Sequence, residues 1–280
     1  MHGLTPILFG SAAFQYLNGA SEVGLFELLH KKQQLSNIEI AHELGLDQYP
    51  SDLLLLGTTS LGLIKKKNTL YSNSDLIDQL IQGPTWELIK DVIAFQQHIV
   101  YKGNADFTES LRKNTNVGLN SIPGIGVDLY NRLPQTPALK NLFYKFMHSW
   151  TKLSNHFLFN NIDFSTIKNM IDVGGGTGIN AIELAKLYPN LRVTILEIPE
   201  VAALAKKNIE TAELTNRVKV FPGNIFTDEY PTGHDCILFS HLLPIWSPEE
   251  NISLLTRAYK ALPSGGNVLI FSAIYNEEEK

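Results

Sequence analysis

A run of glycines in the second half of the chain constrains the fold more than any other feature. The apolar stretch from Asn169 to Val173 leads into Gly174-Gly-Gly-Thr-Gly178, and a helical pattern begins at Ile179. Glycine readily adopts a positive φ angle and lets a ligand approach the backbone closely. The segment therefore predicts a strand, a tight turn and a helix whose N-terminus faces a nucleotide-like cofactor.

Strand and helix patterns alternate regularly around and after this turn. Strands are predicted at Ile167 to Val173, Arg192 to Leu196, Val218 to Phe221, Cys236 to Ser240 and Val268 to Ser272. Helices are predicted between them at Ile179 to Tyr188, Val201 to Glu213 and Pro248 to Leu262. The alternation indicates the α/β class, with a Rossmann-like, doubly wound, mostly parallel sheet that binds ligands at the carboxyl ends of its strands.

The first part of the chain shows a different pattern, in which helical segments precede two short β-runs around a Lys-Asn turn. Ser36 and Glu39 have the spacing of a reciprocal helix cap, and Gly45 is expected to end that helix. The order indicates a mainly helical winged-helix domain, whose apolar helices can also serve a homodimer interface. We expect a winged-helix dimerisation domain at 1–80, a helical connector and pocket roof at 81–164, and the cofactor-binding domain at 165–280.

Charge and composition exclude several classes of partner. The formal net charge of −5 provides no field that attracts nucleic acid, so Lys65, Lys66 and Lys67 are interpreted as a solvated hairpin edge rather than phosphate contacts. No apolar run reaches the roughly 18 residues needed to span a bilayer. The single cysteine, Cys236, lies in an apolar strand pattern and fits a reducing compartment. We expect a cytoplasmic protein without a metal site.

Residues at three successive strand ends narrow the choice of cofactor. The glycine spacing is G-x-G-x-G, and Ile179 stands where a dinucleotide fingerprint requires Gly or Ala, which argues against NAD. Glu197 ends the second strand, where a carboxylate can take both ribose hydroxyls. Asn224 follows the third strand, where an amide can read an adenine edge, and Ile225 can cover the base. The set predicts S-adenosyl-L-methionine.

The ordered motifs resemble those of the small-molecule O-methyltransferase family, which includes caffeate-type, acetylserotonin and bacterial natural-product enzymes. The motifs that carry the resemblance are Gly19 to Phe26, Leu61 to Ile64, Asp172 to Gly178, Glu197 to Val201, Gly223 to Phe226, Ser240 to Ser247 and Gly265 to Ile270. The resemblance covers nearly the whole chain. It implies a homodimer in which the N-terminal helices interlock.

The resemblance also implies roles for individual residues. It places Asp172, Gly174 and Gly176 along the cofactor cleft, Glu197 at the ribose, Asn224 and Ile225 at the adenine, and Ser240 beside the sulfonium. Phe143 and Met147 match a pair that forms the substrate wall in the family. For these two residues, packing in the core is an equally good interpretation.

The chain departs from the family where the chemistry takes place. The family's catalytic histidine corresponds to Pro244, and its orienting acid on the fifth strand corresponds to Ser272. The nearest titratable residue is His241, which can be a displaced base, a hydrogen-bond donor to the substrate, or a satisfied histidine at the pocket edge. The family also continues past its fifth strand with a hairpin that we expect to be missing here, because the sequence stops at Lys280.

These features predict a methyltransferase for a small or carrier-bound acceptor of natural-product or polyketide type, with an O-, C- or N-acceptor. In-line alignment with an activated methyl group contributes much of such catalysis, on the order of 7–11 kcal/mol, so an acidic acceptor needs little further help. One alternative is an enzyme of another class that keeps the same cofactor, such as a pericyclase or hydroxylase. A second alternative is a non-catalytic regulatory dimer.

Overall fold

A computed structural model of the chain describes residues 4–273. The chain divides into two compact units, one ending at Ser149 and the other beginning at Trp150. The division into three domains expected from the sequence stays a prediction.

The N-terminal unit is mainly helical. Its helices are α1 (Thr5–Leu8), α2 (Gly10–Glu22), α3 (Leu25–Lys32), α4 (Asn37–Leu44), α5 (Gln48–Ser60), α6 (Asp75–Gln82), α7 (Thr85–Phe95), α8 (Tyr101–Gly103), α9 (Phe107–Lys113) and α10 (Leu129–Arg132). A π-helical segment, Gln96–Val100, joins α7 to α8, and the long helix α11 (Pro137–Asn161) follows α10. Within residues 4–273, no helix combines the length and the apolar character needed to span a membrane.

The first strands of this unit form a small antiparallel sheet. Strands β1 (Leu35–Ser36), β2 (Ile64–Lys67) and β3 (Leu70–Asn73) pair in the order β1-β3-β2. The capping pattern predicted for the intervening helix is confirmed. Ser36 Oγ accepts a hydrogen bond from the Glu39 N–H, Glu39 Oε2 accepts one from the Ser36 N–H at 2.8 Å, and Gly45 ends α4 at a φ of 65°. Ile40 and Ala41 then face the core of the unit.

The lysines of the β2–β3 hairpin make local contacts. Lys65 Nζ lies 2.6 Å from Asp75 Oδ1, and Lys66 Nζ lies 5.1 Å from the centroid of the Tyr71 ring. Strand β2 is exposed along its three lysines. These contacts support the interpretation of the lysines as a solvated hairpin edge.

The C-terminal unit contains a parallel sheet that confirms the predicted fold class. Its strands are β4 (Asn169–Val173), β5 (Arg192–Glu197), β6 (Val218–Pro222), β7 (Cys236–Ser240) and β8 (Asn267–Phe271), in the order β6-β5-β4-β7-β8. The helices are α12 (Ile179–Leu187), α13 (Pro199–Thr211) and α14 (Pro248–Ala261). Each element predicted for this unit is present, and no end differs from the prediction by more than two residues. All neighbouring strands are parallel, so their carboxyl ends lie along one edge.

The central strands supply the core of this unit because apolar residues point to both faces of the sheet. In β4, Met170, Ile171 and Val173 are fully buried. Cys236 in β7 is also buried, as predicted, and burial raises the pKa of its thiol to about 12. Strand β8 lies at the edge of the sheet and exposes half of the Ile270 side chain. The expectation about a C-terminal hairpin concerns residues outside the described range.

Candidate functional site

The glycine turn after β4 forms as predicted. Gly174, Gly176 and Gly178 have φ angles of 67°, 57° and 85°, and helix α12 begins at the next residue. A Cβ atom on Gly174 would come within 3.0 Å of Leu242 Cδ1, whereas one on Gly176 would meet nothing within 4 Å. The turn therefore packs against Leu242 at Gly174 and is open at Gly176, where a ligand can approach the backbone.

Glu197, at the end of β5, is tied to this turn. Its Oε2 accepts a hydrogen bond from the Gly176 N–H at 2.9 Å, and its Oε1 accepts one from the Ile198 N–H at 2.8 Å. Burial raises the pKa of the carboxyl group, and the two backbone donors partly offset this by favouring the charged form. Each oxygen keeps a second lone pair, so the carboxylate can still accept hydrogen bonds from a diol.

Asp172 lies beneath the same turn and is almost completely buried. A Cβ atom on Gly175 would come within 2.6 Å of Asp172 Oδ2, which shows how closely the backbone covers the carboxyl group. Neither carboxyl oxygen has a hydrogen-bond partner among the described residues. Burial, together with the nearby charge of Glu197, raises the pKa of Asp172 to about 7. A large fraction of Asp172 is therefore protonated at neutral pH.

Asn224 and Ile225 follow β6, the next strand along the same edge. Asn224 Oδ1 accepts a hydrogen bond from the Phe226 N–H at 2.8 Å, which leaves the side-chain amide N–H groups to act as donors. The carbonyl of Ile225 accepts a hydrogen bond from the Tyr230 hydroxyl at 3.2 Å, and its side chain is half-buried. The loop is thus held in place with one polar and one apolar side chain at its start.

Asn180 is a candidate site residue that the sequence reasoning missed. It is the second residue of α12 and is 4% exposed. Its Nδ2 donates to Ser240 Oγ at 3.0 Å, and its Oδ1 is buried without a partner among residues 4–273. The available signal was a polar residue within the otherwise apolar start of α12. Asn180 links the glycine turn to Ser240, at the carboxyl end of β7.

These strand ends fit an adenosyl group. The glycine turn offers open backbone at Gly176, the carboxylate of Glu197 suits a ribose diol, and the amide of Asn224 suits a base edge. The unpartnered polar atoms of Asp172 and Asn180 lie under and beside the turn. The residues present therefore match the predicted cofactor, while the individual roles stay predictions. Among the described residues, no group of three or more His, Cys, Asp or Glu side chains is arranged to hold a metal ion.

His241 directly follows β7 and is tightly held. Its φ angle is 54°, and its backbone N–H donates to the Phe271 carbonyl at 2.7 Å. The ring lies 4.8 Å from the Phe271 ring and 6.2 Å from the Trp150 ring, measured between centroids. Its Nε2 is 2.9 Å from Ser154 Oγ. Burial lowers the pKa of the imidazole, so the neutral form predominates at neutral pH.

The two positions that correspond to the family's base pair carry no such chemistry. Pro244 is exposed within the short 3₁₀ turn Leu243–Ile245. Ser272 Oγ is buried and has no partner among the described residues. His241 reaches the end of β8 through Phe271, next to the place of the missing acid. Ser154, which contacts the His241 ring, is a second residue that the sequence reasoning did not identify.

Phe143 and Met147 belong to the N-terminal unit. Phe143 is 5% exposed and packs against the buried residues Ile99, Ile122 and Leu133. Met147 is half-buried and packs against the same cluster. The contacts of Phe143 support the core-packing interpretation, and a substrate role for either residue stays a prediction.

Comparisons with known proteins agree with this picture. The O-methyltransferase domain family matches residues 105–280. The L-tyrosine C(3)-methyltransferase of Streptomyces lavendulae is 46% identical over 278 residues, covering 99% of this chain and 76% of that protein. The 3-hydroxy-5-methyl-1-naphthoate 3-O-methyltransferase of Streptomyces sahachiroi is 28% identical over 276 residues, covering 99% of this chain and 78% of that protein.

Solved structures show the same architecture. The S-adenosylmethionine-dependent methyltransferase SibL in its apo form is 45% identical, with a TM-score of 0.85, and the match covers 99% of this chain and 81% of that chain. Human N-acetylserotonin methyltransferase in complex with S-adenosylmethionine has a TM-score of 0.85 at 22% identity, with 100% and 81% of the two chains covered. At that identity the second likeness concerns the fold alone.

Proposed function

Since this chain belongs to the O-methyltransferase domain family and is an S-adenosylmethionine-dependent methyltransferase for small, natural-product-type acceptors, we propose that it methylates a ring carbon next to a phenolic hydroxyl. The acceptor we propose is an aromatic amino acid such as tyrosine. The observation that carries this proposal is the 46% identity to an L-tyrosine C(3)-methyltransferase over nearly the whole chain. No observation favours the pericyclase, hydroxylase or regulatory alternatives.

The residues around the glycine turn support binding of the cofactor. In this proposal Glu197 accepts hydrogen bonds from the ribose hydroxyls, and Asn224 and Ile225 hold the adenine. Asp172, Gly174 and Gly176 form the floor of the cleft. Ser240, steadied by Asn180, lies towards the sulfonium. When bound, S-adenosylmethionine supplies an electrophilic methyl group and is released as the neutral thioether.

His241 takes the place of the missing base pair in this proposal. A phenol has a pKa near 10, so it keeps its proton at neutral pH and needs a base, and a neutral imidazole hydrogen-bonded to the hydroxyl can accept that proton as the reaction proceeds. The phenolate then shares its negative charge with the ortho ring carbon, which becomes the nucleophile. After the new carbon–carbon bond forms, that carbon loses its own proton to solvent water, the ring regains aromaticity, and the imidazolium returns its proton to the phenolate oxygen. Burial supports this role, because it keeps His241 neutral and able to accept a proton.

The test is to incubate the protein with S-adenosylmethionine and L-tyrosine and to locate the added methyl group by NMR. We expect methyl transfer to the ring carbon next to the hydroxyl. His241→Ala should lower kcat by about 10²-fold or more without weakening cofactor binding. The matched control is His42→Ala, which removes an exposed histidine of α4 and should retain full activity. A methyl group on oxygen or nitrogen would refute the proposed acceptor atom.

We also propose that the protein is a homodimer formed through the winged-helix dimerisation domain at 1–80. Leu4, Ile7, Leu8 and Phe9, in and around α1, are each more than 60% exposed, so they form an apolar surface that a second copy can cover. Sedimentation equilibrium should show a dimer, and Leu8→Glu should dissociate it. Tyr259→Glu, which changes an exposed aromatic side chain of α14, is the control and should remain dimeric. A monomeric wild-type protein would contradict the proposal.

The proposed location is cytoplasmic. Its support is the single thiol Cys236, which is free and buried in β7, since proteins of oxidising compartments commonly use their cysteines in disulfides.

A further inference from the structure

We propose that Ser154 sets the tautomer of His241, so that Nε2 carries the ring proton and Nδ1 is the atom that accepts the proton of the acceptor. Ser154 is then a positioning residue that acts through His241. The assignment of the tautomer stands on the geometry alone. The assignment of Nδ1 as the base rests on the proposed function.

Three polar atoms lie close to the hydroxyl group of Ser154: two backbone carbonyl oxygens and one ring nitrogen. Ser154 Oγ lies 2.8 Å from the Trp150 carbonyl and 3.4 Å from the Thr151 carbonyl, both one turn earlier in α11. The same oxygen lies 2.9 Å from His241 Nε2. A serine hydroxyl has a single proton to donate, and its oxygen has two lone pairs with which to accept. The proton therefore goes either to the helix carbonyl or to the histidine ring.

Donation to the helix carbonyl satisfies more groups. A serine inside a helix commonly donates to the carbonyl four residues earlier, and the distance to Trp150 is that of a well-formed hydrogen bond. The oxygen of Ser154 can then accept the Nε2–H of His241. The opposite assignment places the ring proton on Nδ1, where no described residue accepts it. The contacts therefore select the Nε2–H tautomer.

The rest of the packing keeps the ring in this orientation. The backbone of His241 is fixed by its N–H bond to the Phe271 carbonyl and by a positive φ angle. The Phe271 and Trp150 rings pack against the imidazole. With Nε2 engaged by Ser154, Nδ1 has no hydrogen-bond partner among residues 4–273, and its lone pair is available to an acceptor hydroxyl.

The phenol and His241 together account for the bond that breaks and the bond that forms in the proton transfer. The O–H bond of the phenol breaks, its electron pair stays on the oxygen, and an N–H bond forms at Nδ1. The resulting imidazolium keeps its Nε2–H bond to Ser154 Oγ, and that hydroxyl still donates to the Trp150 carbonyl. Ser154 therefore stabilises the charged ring by the same contact that orients the neutral one. In the proposed pair, the hydroxyl group of Ser154 orients His241, a role that an acid on the fifth strand performs in the family.

The tautomer is measured directly by NMR of protein labelled with ¹⁵N-histidine, with the His241 signals assigned by their loss in His241→Ala. We expect Nε2 to appear protonated and Nδ1 unprotonated in the wild-type protein. Ser154→Ala should shift the signals towards a mixture of tautomers, and Ser154→Thr, which keeps the hydroxyl, should restore the wild-type pattern. A protonated Nδ1 in the wild-type protein, or unchanged signals in Ser154→Ala, would overturn the proposal.

Measurements of kcat test the role of His241 as the base separately from the assignment of its tautomer. Ser154→Ala should lower kcat by about tenfold or more, and by less than His241→Ala, with little change in the KM for the cofactor. The matched control is Ser60→Ala, because Ser60 Oγ makes the same bond to a carbonyl one turn earlier, that of Leu56 at 2.8 Å, and has no hydrogen bond to a histidine among the described residues. An unchanged kcat in His241→Ala would refute the base while leaving the NMR assignment intact. An unchanged kcat in Ser154→Ala alone would refute the positioning role.

Discussion

Replacing Asp172 with asparagine should remove a destabilisation of the fold that grows with pH. Asp172 is 1% exposed, and burial together with the charge of Glu197 raises the pKa of its carboxyl group to about 7. In the unfolded chain an aspartate titrates near pH 3.9. Below about pH 4 both states hold the proton, so the group costs nothing. As the pH rises from about 4 to 7, only the unfolded chain releases the proton, and the folded state loses stability.

The size of the effect follows from the difference between the two pKa values. About three pKa units at 1.36 kcal/mol each give a loss of about 4 kcal/mol, complete above about pH 7. Between about pH 5 and about pH 8 the expected part is about 3 kcal/mol. Asparagine cannot ionise, so Asp172→Asn should gain this amount relative to the wild-type protein over that interval. Any hydrogen bond lost by the buried amide affects both pH values equally and cancels.

The assay is urea unfolding of the two proteins at both pH values. The free-energy difference between them should move by about 3 kcal/mol in favour of the variant at the higher pH. The control is Asp163→Asn. Hydrogen bonds from Ser165 lower the pKa of exposed Asp163, so this carboxyl group is ionised in both the folded and the unfolded chain at both pH values, and its replacement should leave the free-energy difference from wild type the same at the two pH values. If the difference in free energy of unfolding between the wild-type protein and Asp172→Asn does not change with pH, the Asp172 carboxyl group does not keep its proton in the folded state, and the reasoning is refuted.

Three further substitutions test other parts of the structure. Gly176→Ala should weaken cofactor binding by about tenfold or more, which titration calorimetry measures. Its cost in stability should be only about 1–2 kcal/mol, because the backbone at Gly176 is left-handed but the Cβ position is open, and thermal unfolding measures this cost. Glu197→Gln should raise the cofactor dissociation constant by about tenfold, since one backbone N–H would then face an amide NH₂ group. Ser36→Ala should lower the free energy of unfolding by about 1 kcal/mol through loss of the α4 cap.

Each of these has a control or a contradicting outcome. Gly10→Ala adds a methyl group where no atom lies within 4 Å and should leave cofactor binding unchanged. Equal losses of binding in both glycine variants would contradict the role of the turn. Cofactor binding of wild-type strength in Glu197→Gln would contradict its ribose contact. For Ser36→Ala, a stability within about 0.5 kcal/mol of wild type would show that the cap contributes little.

The interpretation of His241 illustrates how far sequence spacing reaches. The sequence placed a histidine at the end of a strand and left three roles open. The structure shows which ring nitrogen contacts a described residue, and the role of His241 itself stays a prediction. Nε2 lies within hydrogen-bond distance of Ser154 Oγ, whereas Nδ1 has no partner among the described residues, which supports the proposed base. That contact comes from Ser154, 87 positions earlier in the chain, and sequence spacing alone does not indicate it.

The chain order by itself determined the local architecture of this protein. Gly174, Gly176 and Gly178 specified the strand, turn and helix, because few other residues tolerate the positive φ angles found there. The alternation of strand and helix patterns fixed a parallel sheet, which in turn placed Glu197 and Asn224 along the same edge as the turn. Local periodicity and turn chemistry are encoded within a few residues, so they can be read without knowledge of the fold.

Tertiary structure alone decided which distant side chains meet. It buried Asp172 without a partner, joined Asn180 to Ser240, placed Phe143 in a core cluster, and brought Ser154 to His241. Such encounters depend on the packing of whole helices against the sheet and leave no periodic signal in the sequence. The glycine turn and the strand ends beside it were therefore predictable from the chain order, whereas the burial of side chains and the contacts between distant residues are set by the packed fold.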